Sequence, residues 1–381
     1  MKRSLVRGLL ALVVVLALLG LWKREDITRL MAVNTLFAPE KIVTNFSHMD
    51  RLFWTTEMAR GEGPVSPLPK GEEIVLSKAE MDWIADRQVT GLVILKDGLL
   101  RHESYYLGTA PEDRRISWSM AKSWLASLLG IVMAEGKIAS LDDPVTTYAP
   151  DLTGSAYDGA TIRNVLNMAS GVEFNEDYLD FWSDINKMGR VLALGQSMNG
   201  FAASIGKRSA APGAEWKYVS IDTHVIGMVI EGATGEKIAD LMQRHLVQPM
   251  GLEVAPKYIT DGYGTAFVLG GLNMPTRDYA RFGAMIAAGG QWQGRQVVPA
   301  AWVAQMIAPS APGDVGYGYQ WWVPEGSAPG EVLARGVYGQ YIFIDSDSGI
   351  VIAVNSADRR FKEPGRFEED MVVLRGLAGR L

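Results

Sequence analysis

The chain contains no cysteine and only four histidines, His48, His102, His224 and His245. The missing thiols exclude disulfides, cysteine-ligated zinc or iron–sulfur centres, and a thiolate nucleophile. The histidines are scattered, with no H-E-x-x-H and no paired spacing, so a histidine-rich metal site is not expected either. Charge of one sign is modest: 37 Lys and Arg stand against 43 Asp and Glu, a formal −6, which gives no reason to expect a nucleic-acid partner. With 48% hydrophobic and 21% charged residues, the composition is that of a globular chain rather than a disordered one. Any catalysis must therefore run on hydroxyls, amines, carboxylates and backbone groups.

Long hydrophobic runs are also scarce, with one exception. Gly8–Trp22 (GLLALVVVLALLGLW) is continuously apolar, with Lys2, Arg3 and Arg7 before it and Lys23 and Arg24 after it. The run ends on Leu21-Trp22-Lys23-Arg24, a poor site for signal cleavage, and Trp22 suits a membrane interface. The segment 1–26 therefore reads as an uncleaved membrane anchor more than as a cleaved signal peptide. Either reading implies an exported catalytic part, anchored to the inner membrane or secreted. Residues 27–71 read as a linker and N-terminal extension, because Arg60–Lys70 carries Gly and three Pro.

The compact domain is expected over 72–381. Val89–Lys96 and Leu99–Tyr106 read as strands joined at Asp97-Gly98, a hairpin signal. Ser119–Glu135 reads as a helix apolar nearly all round, hence buried, and Gly136 suits its end. Val337–Ile344 and Ile350–Asn355 flank Asp345–Gly349, a second hairpin signal, and Glu368–Leu381 reads as a closing helix. Strands at both ends with helices between them imply an α/β (α+β) fold. Its α/β part spans about 72–118 and 331–381, around a mainly helical part of about 119–330.

Motif searches remove more options. There is no G-x-S-x-G nucleophile elbow, no P-loop and no dinucleotide-binding glycine pattern after a strand. What is present is S-x-x-K at Ser119-Met120-Ala121-Lys122, opening the buried helix. The spacing sets both side chains on one helix face. A Ser hydroxyl becomes a useful nucleophile when a neighbouring base takes its proton. A Lys can be that base when burial lowers its pKa. About one S-x-x-K is expected by chance in a chain of this length, and a second, Ser204-Ile205-Gly206-Lys207, runs into Pro212-Gly213 and reads as loop. The context favours the first: Lys122 is the single charged residue between Arg115 and Glu135. Two further elements follow. Tyr218-Val219-Ser220 is the chain's one Y-x-[SN], and a phenol beside an amine can relay protons. Arg335-Gly336-Val337-Tyr338-Gly339-Gln340 leads into a strand, and Gly at a strand start admits close approach of a ligand to the backbone.

In this order, the three elements resemble the serine β-lactamase and penicillin-binding-protein superfamily. The branch resembled is the class C-like one, most closely the esterases and the 6-aminohexanoate-dimer hydrolase type. Leu141–Val145, Leu166–Gly171, Gly270–Asp278 and Tyr317–Trp322 add to the likeness, which spans roughly 40–375. The resemblance implies a β-lactamase/transpeptidase-like fold, an antiparallel sheet flanked by helices plus a mostly helical domain. It implies Ser119 as acyl acceptor, Lys122 as its base and Tyr218 as the assistant in proton transfer. The backbone N–H groups of Ser119 and Val337, beside Gly336, would form the oxyanion hole. Ser220, Tyr178 and Trp182 would be substrate-side residues, and no metal or organic cofactor is implied. Two departures bear on substrate: Ser220 stands where class C β-lactamases have Asn, and Ala334-Arg335-Gly336 replaces K-[ST]-G. The loss of that Lys favours a neutral small-molecule ester or amide over a β-lactam or D-Ala-D-Ala peptide. A β-lactamase or DD-peptidase, and a non-catalytic sensor on the same fold, are the alternatives.

Overall fold

The computed structural model describes residues 2–381; Met1, the first residue of the expected anchor segment, lies outside the described residues. The main sheet has five antiparallel strands, in the order β3-β2-β11-β10-β9. They are β2 (Val89–Lys96), β3 (Leu99–Tyr105), β9 (Glu331–Gly336), β10 (Gln340–Asp345) and β11 (Ile350–Ser356). The two ends of the chain thus meet in one sheet, through the β2–β11 register. The expected hairpins form. At Asp97 and Gly98 both residues are left-handed, with φ of 52° and 74°, the pair of values that a tight two-residue turn matched to strand twist requires.

Alternation along the strands decides what covers each face. Leu92, Ile94, Phe343, Ile352 and Val354 point to one side and pack under the helices Lys78–Asp86 and Arg366–Ala378. The closing helix is pinned there by Asp370, which accepts from Trp83 Nε1 (2.8 Å), Arg87 Nε (2.6 Å) and the Tyr341 hydroxyl (2.8 Å). Val93, Leu95, Ile342, Ile344 and Val351 point to the other side and join the larger core. There the helix Thr276–Ala287 lies against the sheet, and beyond it lies the buried helix Ala121–Ala134. Trp124 of that helix stacks on Phe282 at 4.0 Å.

Two expectations need correction. Val337–Gly339 is not strand but the turn between β9 and β10. Tyr338 and Gly339 both take positive φ (62° and 77°), which no strand tolerates, and an unforeseen strand, β9, precedes them. The part 119–330 is mainly helical but also carries short strands. It supplies β5 (Lys257–Thr260) and β6 (Leu272–Met274) to a second, four-stranded sheet in the order β1-β5-β6-β4, with β1 at Trp54–Glu57 and β4 at Arg115–Ile116. A small hairpin, β7 (Gln291–Trp292) and β8 (Arg295–Gln296), lies in the same part.

Residues 27–71 are also more than a linker. β1 pairs with β5 over Trp54–Glu57, and the helix Ile42–Ser47 buries Ile42 and Phe46 completely. Buried Arg115 clamps that helix by donating to Val43 O (2.7 Å) and Ser47 Oγ (2.6 Å). Residues 58–69 form neither helix nor strand, in keeping with their prolines.

The apolar run lies in the helix Lys2–Trp22, where Leu9, Leu12, Leu16 and Leu18, among others, are exposed. Among the described residues no single helix is long and apolar enough to cross a membrane. Val6–Trp22 and Ile27–Asn34, bent by 67°, meet that length and composition together.

Candidate active site

Ser119 does not open the α-helix directly. It sits in a single 3-10 turn, Trp118–Met120, and the α-helix starts at Ala121. Trp118 holds a φ of 43°, a left-handed value that costs a bulky side chain about 1 kcal/mol or more. The kink turns the Ser119 side chain to where two cavities meet: Ser119 lines both. One turn on, Lys122 is buried inside the core, its Nζ donating to Leu269 O at 2.9 Å and lying 5.6 Å from the centre of the Tyr218 ring.

That burial sets the chemistry of the amine. Desolvation pushes the Lys122 ammonium down from 10.5 to about 7, against the charges of Glu176 and Asp222, which favour the protonated form. Tyr218 immediately precedes the buried helix Ser220–Thr234. Its phenol is pushed up, first by burial and next by the Glu176 charge, while the Ser119 hydroxyl, Arg335 and Ser220 draw it down. At pH 7 about half of the Lys122 amines are therefore unprotonated, while the Tyr218 phenol keeps its proton and lies within hydrogen-bond reach of the Ser119 hydroxyl.

Gly336 closes the site from the sheet side. A methyl group there would stand 2.6 Å from Ser117 O and 3.1 Å from the Ser119 nitrogen, so only glycine lets the end of β9 lie this close to the serine turn. The peptide units of Ser119 and Val337 are thereby brought to the same mouth, and Val337 lines both cavities with Ser119. Two N–H groups in such an arrangement can hold a developing oxyanion.

The remaining expected residues divide. Ser220 and Tyr178 come to the site: Ser220 lines one cavity and Tyr178 both. Trp182 does not. It is 79% exposed, packs edge-on against Phe181 at 4.9 Å and lines neither cavity. The loop before the helix Asp184–Ala193 is held by Asn186 Nδ2, which donates to the Tyr178 and Asp180 carbonyls (3.0 and 2.8 Å), and this turns Phe181 rather than Trp182 inward. Arg335 does face a cavity, with its guanidinium 3.7 Å from the Phe367 ring. The second motif, Ser204–Lys207, lies in exposed loop as expected. No histidine lines either cavity.

Four contributors carry no signal in the sequence. Glu176 accepts from the Ser220 N–H (3.0 Å), the Ser220 hydroxyl and the Tyr178 hydroxyl (2.8 Å), and so ties two expected site residues together. Leu269 acts through its carbonyl, which no side-chain pattern advertises. Phe37 and Phe46 of the N-terminal segment pack on Trp118 and Tyr338, the left-handed residues that flank Ser119 and Val337. Phe37 stacks on Tyr338 at 4.8 Å, and Phe46 meets Trp118 at 5.6 Å.

Comparison with known proteins identifies the family. The Beta-lactamase family model matches residues 90–374. The chain belongs to that family. It is an enzyme of the serine hydrolase kind, with a β-lactamase-like fold. The 6-aminohexanoate-dimer hydrolase of Paenarthrobacter ureafaciens is 27% identical over 327 residues, covering 81% of this chain and 83% of the relative. Esterase EstB of Burkholderia gladioli is 29% identical over 151 residues, 35% of this chain and 36% of EstB. Among solved structures, one from Bacillus anthracis, provisionally named a 6-aminohexanoate-dimer hydrolase, superposes with a TM-score of 0.81 at 20% identity. It covers 91% of this chain and 96% of that one, and at this identity the likeness speaks for the fold alone.

Proposed function

We propose that the protein hydrolyses a small-molecule ester or amide through an acyl-enzyme on Ser119. Lys122, unprotonated, takes the hydroxyl proton as Oγ attacks the carbonyl carbon. The oxyanion is held by the N–H groups of Ser119 and Val337. As the bond to the leaving group breaks, the proton passes from Lys122 through the Tyr218 hydroxyl to the departing oxygen or nitrogen. A phenol whose pKa is raised stays protonated at neutral pH, so Tyr218 serves as a hydrogen-bonded shuttle rather than as a phenolate. Water then enters, loses a proton by the reverse route, and releases the acid with Ser119 restored.

The observation that carries this reading is the Lys122 amine, buried one turn after Ser119 and 5.6 Å from the centre of the Tyr218 ring, where desolvation holds its pKa near neutrality. A fluorophosphonate probe tests it. Wild type should be labelled and Ser119→Ala should not; equal labelling, or none in wild type, overturns the proposal. The relatives named as amide and ester hydrolases support such a substrate. Arg335 in the cavity wall favours a second reading, an anionic β-lactam or peptide substrate, because its guanidinium gives that cavity a positive charge although Ala334 replaces the Lys of K-[ST]-G. Nitrocefin turnover matching that of p-nitrophenyl esters would establish it.

We also propose that the N-terminal apolar segment attaches an exported enzyme to the membrane. The full chain should then resist carbonate extraction from membranes, and residues 27–381 should not.

A further inference from the structure

The two cavities that meet at Ser119 differ in chemistry. One, of ≈ 390 Å³, is walled by Tyr218, Trp322, Arg335, Lys362, Glu363 and Glu368. The other, of ≈ 370 Å³, is walled mainly by apolar groups, among them Leu36, Phe37, Phe53, Met188 and Phe267, with Arg190 its one charged side chain. We propose that this apolar chamber receives an unbranched aliphatic acyl chain, so that the substrate is a medium-chain acyl ester or amide. The inference rests on Ser119 being the acyl acceptor and names the substrate class of that same site.

Four observations carry it. The first concerns direction. Tyr218, which must reach the departing oxygen or nitrogen, lines the polar cavity and not the apolar one. The leaving group therefore occupies the polar side, and the acyl part is left with the apolar chamber.

The second concerns the helix Asp184–Ala193. Ile185, Met188 and Leu192, spaced as one helix face, turn to the chamber, and Gly189 stands on the same wall. Glycine weakens a helix interior. Here a side chain at Gly189 would meet nothing within 4 Å, so its absence leaves open volume rather than relieving a clash.

The third is the rim. Leu179 and Phe181 line the chamber yet are 82% and 58% exposed. Large apolar groups gathered at a cavity mouth mark a site for an apolar ligand. The fourth is size. At about 30 Å³ for each water-sized group, the chamber holds a chain on the order of ten carbons.

The test is a series of p-nitrophenyl esters from acetate to dodecanoate, each below its micelle concentration, with wild type and Gly189→Leu. For wild type, kcat/KM should rise about fourfold per added methylene until the chamber is full near ten carbons, and then level or fall. Acetate esters of alcohols of matching length should show no such rise. In Gly189→Leu the octanoate-to-acetate ratio should drop at least tenfold, with a melting temperature no lower than wild type, since leucine strengthens the helix. A flat profile in wild type with fluorophosphonate labelling intact would leave the hydrolase standing and remove the acyl-chain assignment. So would an unchanged ratio in Gly189→Leu, or a rise that follows the alcohol chain. Absence of both labelling and ester turnover would overturn the proposed function itself.

Discussion

The identity of the general base gives the sharpest test, because Lys122 and an arginine at the same position differ in one property that matters. Lys122 is fully buried, donates to Leu269 O at 2.9 Å and has its ammonium pushed down from 10.5 to about 7 by desolvation. Near 7, half of the amine is free to accept a proton at pH 7. At 10.5, only about one in three thousand would be. Burial thus supplies roughly three orders of magnitude in usable base. The acidic limb of kcat/KM should have its midpoint near pH 7 and fall about tenfold per pH unit below it, because protonation removes the base.

Lys122→Ala should lower kcat by about 10²–10⁴. Lys122→Arg should lose as much, since a guanidinium keeps its proton throughout this range and can supply charge but not a base. The assay is p-nitrophenyl ester hydrolysis from pH 5 to 9, with thermal melts to show that each variant is folded. If Lys122→Arg keeps more than about a tenth of wild-type kcat, or if the wild-type limb lies below about pH 5.5, the residue acts as a cation and the reasoning fails.

Other expectations follow from the same geometry. The Glu176 carboxylate favours protonated Lys122, so Glu176→Gln should move the acidic limb to lower pH; a limb that stays or rises in the pH–rate profile contradicts the assignment. Gly336→Ala would press a methyl group against Ser117 O and the Ser119 nitrogen, displacing an oxyanion donor, and kcat should fall by about 10²–10³ while secondary structure by circular dichroism is kept. Phe37 is 38% exposed, so Phe37→Ala should cost little in melting temperature. By loosening Tyr338 and Trp118 it should lower kcat by about ten- to a hundredfold, and Phe37→Tyr should restore most of the loss.

The sequence exposes those parts of the site whose signal is local. Ser119 and Lys122 are three residues apart in an otherwise uncharged stretch, and Tyr218 stands in the one Y-x-[SN] of the chain, so all three could be named before any fold was known. The β2–β3 and β10–β11 hairpins were legible for the same reason: their turn residues sit between apolar runs. β9 was not, because its boundary is set by the left-handed pair Tyr338-Gly339, and a tyrosine gives no warning of a positive φ. Glu176 was not, because its importance lies in contacts with Ser220, 44 residues away. The Trp182 expectation failed by one position, since the loop's direction is fixed by Asn186 hydrogen bonds to backbone carbonyls rather than by the aromatic residues themselves.

The misreading of residues 27–71 has the largest consequence. Prolines and glycines mark Gly61–Pro69 correctly as loop, but they say nothing of the residues before it, where Ile42, Phe46, Met49 and Met58 are as buried as any in the core. Holding Trp118 and Tyr338 left-handed costs about 1–3 kcal/mol at each, and such conformations persist only where surrounding packing over-determines them. That packing comes from Phe37 and Phe46, whose rings lie 4.8–6.3 Å from each other and from the Trp118 and Tyr338 rings. The same segment also walls the apolar chamber through Leu36, Phe37 and Phe53. The segment that follows the apolar N-terminal helix therefore does two jobs at once. It braces the backbone turns that present Ser119 and Val337, and it shapes the cavity beside them, so the N-terminal extension is part of the proposed active site rather than merely leading to it.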